Sequence, residues 1–225
     1  MGQSISEVLP WAIGVAISPI PLIAVILMLF TPRAKQNGPA FLLGWVVGLG
    51  VLAAVVYIVA DALNVSSDST ASDSTSTVKV VLGVALIIGG LRRLRKHTAA
   101  GAEPAMPKWM AGVDTFTPVK AAGLGVVLGA VNPKNLVLTI GAATGLAQLG
   151  ESSGDAVVGL IAFVVIASST TALAVGYRIF GGEAAHAHLD EAKAWLTVHN
   201  EAVMAVLFLV FGVVILAQGT GRLSA

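Results

Sequence analysis

Two short motifs place polar chemistry inside otherwise apolar stretches of this 225-residue sequence: Ser18-Pro19-Ile20-Pro21 and Asn132-Pro133-Lys134-Asn135. Proline has no backbone N–H and its ring clashes with the preceding turn, so a helix running through either motif must kink or open. Opened backbone at lipid depth exposes carbonyls and amides that can hold a solute. Lys134 adds a cation to the middle of its apolar run, where hydrocarbon penalises the charge by about 2.5 kcal/mol to several times that. Such a lysine needs water, a partner or an anionic substrate group, and neither Asp61, Asp114 nor Glu201 is expected at its depth. The candidate substrate-binding residues are therefore Ser18, Pro19, Pro21, Asn132, Pro133, Lys134 and Asn135. Thr139, Ser168, Ser169 and Thr170 add hydroxyls that could line the same cavity, although such groups commonly bond back to their own helix. Membrane prolines also bend helices merely for packing; two paired polar motifs, one with a lysine, favour a site.

Several chemistries are excluded. The chain has no cysteine, so disulfides, thiolate metal sites and a thiol nucleophile are absent. His186, His188 and His199 stand in no recognised ligand pattern with carboxylates, so neither a metal nor another cofactor is expected. No G-x-x-x-x-G-K-[ST] loop occurs, which leaves an ion gradient, a substrate gradient or a partner to supply energy. No nucleophile stands with a base and no carboxylate pair lies at depth, so the chain does not read as an enzyme. A net charge of +1 offers nothing to nucleic acid.

The elements that must position the motifs are membrane helices. Of the residues 56% are hydrophobic and only 11% charged, with a mean hydropathy of +0.88, whereas soluble domains carry about a quarter charged. Apolar runs predict helices at Val8–Phe30, Pro39–Ala60, Val78–Leu91, Val119–Ala147, Ala156–Tyr177 and Val203–Ala217. The third and sixth runs are short and must recruit flanking polar residues. Nothing basic precedes Arg33, so the first run is read as a retained helix rather than a signal peptide. Basic residues follow the odd-numbered helices: Arg33 and Lys35, then Arg92, Arg93, Arg95, Lys96 and Lys108, then Arg178 and Lys193. By the positive-inside rule these connections are cytoplasmic and both termini lie outside a plasma (inner) membrane. Arg33 and Lys35 could also gather anionic substrate at a cytoplasmic mouth. The Ser66–Thr77 stretch, SSDSTASDSTST, reads as a mobile external tether. Residues 184–199 read as an interfacial amphipathic helix, with Leu189, Ala192, Leu196 and His199 on one face.

Each proline motif is followed by an apolar stretch, a glycine-marked loop and a further helix. Because three helices precede the second copy, the copies cross in opposite senses. The fold expected is an all-α integral membrane protein of six transmembrane helices in two inverted three-helix repeats, residues 1–91 and 119–225, joined by a basic linker, 92–118. With SPIP in the first helix and NPKN in the fourth, the chain resembles the LysE superfamily of exporters. Within it the chain is similar to the GAP family of actinobacterial proteins, named for glycopeptidolipid and sulfolipid addressing. That resemblance implies export from the cytoplasmic side of a cell-envelope glycolipid or, in other branches, of amino acids or ions, and it carries over Pro19, Pro21, Asn132, Pro133 and Lys134. The resulting expectation is a transporter or flippase that moves an anionic envelope lipid by alternating access. A small-solute exporter of the same fold and a non-transporting scaffold of a lipid-export machine are the rivals. Candidate partners are membrane lipids, that export machinery and a second copy of the chain.

Orientation is directly testable because engineered cysteines meet no native thiol. A membrane-impermeant maleimide applied to intact cells is expected to label Ser67→Cys in the external polar stretch and to spare Gln36→Cys in the first basic connection. The opposite pattern reverses the topology.

Overall fold

The computed structural model describes residues 2–62, 69–99, 112–113, 115–150 and 152–221, and among them the regular structure is helical throughout. The elements are α1 (Gly2–Ala16), α2 (Pro19–Leu29), α3 (Ala34–Ala62), α4 (Ser69–Ala99), α5 (Pro118–Ala130), α6 (Pro133–Gln148), α7 (Ser153–Phe180) and α8 (Gly182–Gly219). Both proline motifs break their helices. The α1–α2 pair bends by 55° and the α5–α6 pair by 60°. Helices α3, α7 and α8 are each long and apolar enough to cross a membrane, and each bent pair qualifies if taken as one span. Large apolar side chains such as Leu43, Ile58, Val81, Val165 and Leu173 point outward. Water would penalise that surface, whereas acyl chains accept it.

Three boundaries depart from the sequence reading. Residues 69–77 are the first turns of α4 rather than a tether, while residues 66–68 of the polar stretch lie outside the described residues. No glycine or proline stands between Ser69 and Leu82, so nothing local stops a helix that the apolar run has already nucleated. At the other end Arg92–Lys96 belong to the same helix instead of a linker, since arginine, lysine and leucine sustain a helix well. Linker residues Pro104, Pro107, Lys108 and Trp109 lie outside the described residues. Finally, residues 184–199 are not a separate interfacial helix. They form the first half of the 38-residue α8, about 57 Å long at 1.5 Å per residue and nearly twice the hydrocarbon thickness. On that half the inward face is Ala185 and Leu189 with Lys193 and Leu196 half-buried, and Ala192 is exposed. Its docking point is Phe30 at the end of α2, flanked by the His186 ring at 4.3 Å and the Lys193 ammonium at 5.0 Å.

Small residues decide which helices lie closest. Helices α3 and α5 run in the same direction with Gly44 and Gly48 facing Ala122 and Val126, and Gly125 and Gly129 facing Phe41 and Trp45. A methyl at Gly48 would stand 2.8 Å from the Val126 carbonyl oxygen, and one at Gly44 would collide with that of Ala122. Two facing small-xxx-small stripes of this kind let backbones touch where lipid supplies no hydrophobic drive. Helices α4 and α8 make the second close pair, antiparallel, with Gly83 against Gly212 and Gly90 against Ala205. The shared core includes the buried Trp11, Val15, Met28, Leu29, Phe41, Trp45 and Phe163.

The glycine seam is therefore sensitive to volume. Gly125→Val is expected to destabilise the protein by about 1–3 kcal/mol, the usual cost of overpacking. Thermal unfolding in detergent, followed by loss of the monodisperse species, measures it. Gly123→Val, where an added side chain meets nothing, is the control and should melt as the wild type does.

Candidate substrate cavity at the helix breaks

Breaking α1 frees its last carbonyls, and each must find a donor inside the protein. In a continuous helix Val15 and Ile17 would accept from residues 19 and 21, but both are prolines. Ser18 has left the helix, with φ −111° and ψ 101°, so its amide no longer serves Gly14. Side chains replace every one of these bonds. The Lys134 ammonium donates to the carbonyls of Gly14 at 2.6 Å and Ile17 at 2.9 Å. The Ser18 hydroxyl donates to Val15 at 2.5 Å, and the Thr170 hydroxyl to Ala16 at 2.7 Å. A cation at a helix C-terminus also meets the negative end of the helix dipole.

The second break is closed by its own motif. Asn132 caps α6, its Oδ1 accepting from the Lys134 amide at 3.1 Å. Asn135 Nδ2 donates to the Leu128 carbonyl at 3.0 Å, and its Oδ1 lies 3.1 Å from the Ser18 hydroxyl. Lys134 is 5% exposed and Asn135 fully buried, so these bonds are made away from lipid. The two motifs, far apart in sequence, thus meet as one hydrogen-bonded knot. Lys134 thus finds its partners in backbone: its Nζ donates to carbonyls at the end of α1 and in the break that follows.

Beside the knot lies a cavity of about 320 Å³. Ser18, Pro19, Ile20, Pro21, Asn132, Pro133 and Lys134 form its floor, and Val127, Leu128, Val131, Met204, Phe208 and Arg93 its walls. The N-termini of α2 and α6 both begin at this floor, which brings two positive dipole ends to one place. In the sequence Arg93 is one of a basic run that reads first as a topology anchor and second as an attraction for anionic lipid head groups. Its Nη1 donates to Glu201 Oε2 at 2.8 Å and its guanidinium stands 5.4 Å from the Phe208 ring centre. No local signal marks it, because its partners come from α8. Among the described residues no packed interface closes α5 against α4 or α8, and Val127 and Val131 are exposed. Among the described residues, then, nothing closes the cavity on its α4–α5 flank.

The remaining sequence candidates go elsewhere. Thr139 and Ser168 are buried, and neither hydroxyl has a hydrogen-bond partner among the described residues. Ser169 bonds back to the Ile166 carbonyl at 2.7 Å. Arg33 and Lys35 line a different cavity at the far end of α2, not the central one. The histidines are dispersed: His188 meets the Tyr177 hydroxyl at 2.7 Å and His199 stacks on Trp195. Among the described residues no cluster of His, Asp or Glu could hold a metal.

Long apolar helices around two broken ones, joined through a buried lysine, make this a membrane-helical protein with a discontinuous-helix core. The chain belongs to the SfLAP family, that of Sap, the sulfolipid-1-addressing protein, whose sequence profile matches residues 8–221. Comparison with curated proteins and with solved structures gave no match.

Removing the Lys134 ammonium would leave the Gly14 and Ile17 carbonyls without donors, at about 1–3 kcal/mol each. Lys134→Met is thus expected to lower unfolding stability by about 2–6 kcal/mol. Chemical denaturation in mixed micelles is the measurement. A change below about 1 kcal/mol would mean that water takes over the ammonium's role.

Proposed function

We propose that this protein moves an anionic envelope lipid across the plasma membrane, taking the head group into the cavity beside the two breaks while the acyl chains stay in the bilayer. The observation that carries the reading is the lining itself: two helix N-termini, Lys134, Arg93, Ser18 and Asn132 on a cavity whose other walls are apolar and which, among the described residues, is open on one flank. At about 320 Å³ the space suits a head group rather than a whole lipid. A sealed polar pocket would have favoured a small solute; an amphipathic one open toward α4 and α5 suits an amphiphile. The family description names a sulfolipid, and a sulfo group is the kind of anion that these groups would bind.

In this reading the chain makes six spans, the bent pairs counting as one each and α4 as the third, arranged as two inverted repeats of an exporter of LysE type. Support comes from the packing pattern, which largely survives exchange of the halves. Helix α1 packs on α7 as α5 packs on α3, and α2 packs on α7 as α6 packs on α3. The exceptions are α5 on α6, with no packed counterpart between α1 and α2, α7 on α8, with none between α3 and α4, and α2 on α8, with none between α6 and α4. The cavity lies on that unmatched side, as alternating access requires if the two halves take the two roles in turn. The basic end, with Arg93 near the mouth, is then cytoplasmic and both termini are outside.

Arg93 would attract the head group, and Glu201 would hold Arg93 until substrate arrives. Asn132 Nδ2 and the Ile20 amide would supply further donors, Pro19 and Pro21 having none. In liposomes of purified protein, a fluorescent sulfated or phosphatidylglycerol lipid should cross leaflets faster than a zwitterionic analogue. Arg93→Gln should slow the anionic lipid about tenfold or more, as expected for loss of a charge-assisted contact. Arg95→Gln should not. Equal rates for both lipids, unaltered in Arg93→Gln, would falsify the proposal.

A further inference from the structure

At the opposite end of α2, about 16 Å from the breaks at 1.5 Å per residue over its 11 residues, lies a second cavity of about 680 Å³. Two separate connections build it: Thr31, Pro32, Arg33, Lys35 and Gln36 between α2 and α3, and Arg178, Ile179 and Gly182 between α7 and α8. The positive-inside rule accounts for basic residues in each connection, but not for their convergence on one walled space. Nor are these cations neutralised. Among the described residues the ion pairs are Arg93–Glu201 and Lys193–Asp190, and none involves Arg33, Lys35 or Arg178. Glu183, just beyond Gly182, is not part of the wall.

The groups are also held in place. Arg178 Nε donates to the Leu29 carbonyl at 3.2 Å, which fixes the guanidinium and leaves its terminal nitrogens for the cavity. The Arg33 carbonyl accepts from the amides of Gln36 at 3.0 Å and Asn37 at 2.9 Å, so the first turn of α3 carries Arg33 and Lys35 on ordered backbone. Leu29 and Ile179 give the space an apolar side, and Phe180 next to it is 89% exposed. Three cations beside an outward aromatic match a phosphate-bearing anion at a membrane surface.

We infer that this cavity is a second anion site, separate from the central one, which holds the phosphate of an acidic phospholipid head group or a free phosphate ion of the same chemistry. Lipid held in the central cavity is a constant background to the test, because none of the variants compared alters that cavity. The purified full-length protein in nanodiscs of mixed phosphatidylglycerol and phosphatidylcholine is examined by native mass spectrometry for retained lipid. Wild type should keep phosphatidylglycerol preferentially. Arg33→Gln/Lys35→Gln, at two exposed positions where folding is not at stake, should weaken that preference about fivefold per cation removed. Arg92→Gln, an exposed basic residue outside the cavity, should leave it intact. Millimolar inorganic phosphate then separates the sources: displacement of the lipid assigns the site to the free anion, and persistence assigns it to the head group. Equal retention by the double variant and wild type, or an equal loss in Arg92→Gln, overturns the inference.

Discussion

Hydrocarbon offers no hydrogen bonds, so a helix interrupted within the membrane must be mended by side chains. Everything around the cavity depends on that mending. Prolines at 19 and 21 remove two donors at the end of α1 and the bend leaves further carbonyls open; Lys134 of α6, Thr170 of α7 and Ser18 at the break itself supply hydrogen bonds to four of them. The repair joins α1, α6 and α7 at one point and holds a cation where it would otherwise be intolerable. It also leaves the first turns of α2 and α6 turned toward open space instead of toward neighbours. The break and the cavity are two aspects of one constraint.

Packing divides the remaining helices into two tight couples. Glycine stripes lock α3 to α5, and a second set locks α4 to α8. The cavity lies on the border between these couples, where valines rather than glycines face outward and no seam is formed. Contact within a couple resists separation because backbones are already touching. Contact between couples is looser, and the ion pair from Arg93 to Glu201 stays within one of them. An amphiphile taken up at the border therefore need not open either glycine seam.

How much of this could be read in the sequence follows from how local each cause is. SPIP and NPKN announced both breaks because a missing N–H is a property of the residue itself. Lys134 was conspicuous by its surroundings, but its partners were not, since the carbonyls of Gly14 and Ile17 belong to backbone in the other half of the chain. Thr170 looked like any helix hydroxyl until the fold brought Ala16 to it. Arg93 could not be told from Arg92 or Arg95, because only Phe208 and Glu201 distinguish it. Helix ends were misjudged where polarity was taken for a loop, at Ser69–Thr77 and Arg92–Lys96, or for a separate interfacial helix, at residues 184–199; none of these stretches contains a residue that stops a helix. Polarity tells where a helix leaves the membrane, not where it ends.

The unbroken length of α8 has a mechanical consequence. A rod with no hinge between Gly182 and Gly219 transmits rotation rather than absorbing it. Met204 and Phe208 sit on its embedded portion, while Ala185 and His186 grip the end of α2 near the opposite tip. One unbroken element thus borders both the central cavity and the basic end of α2, and no bend along it uncouples the two.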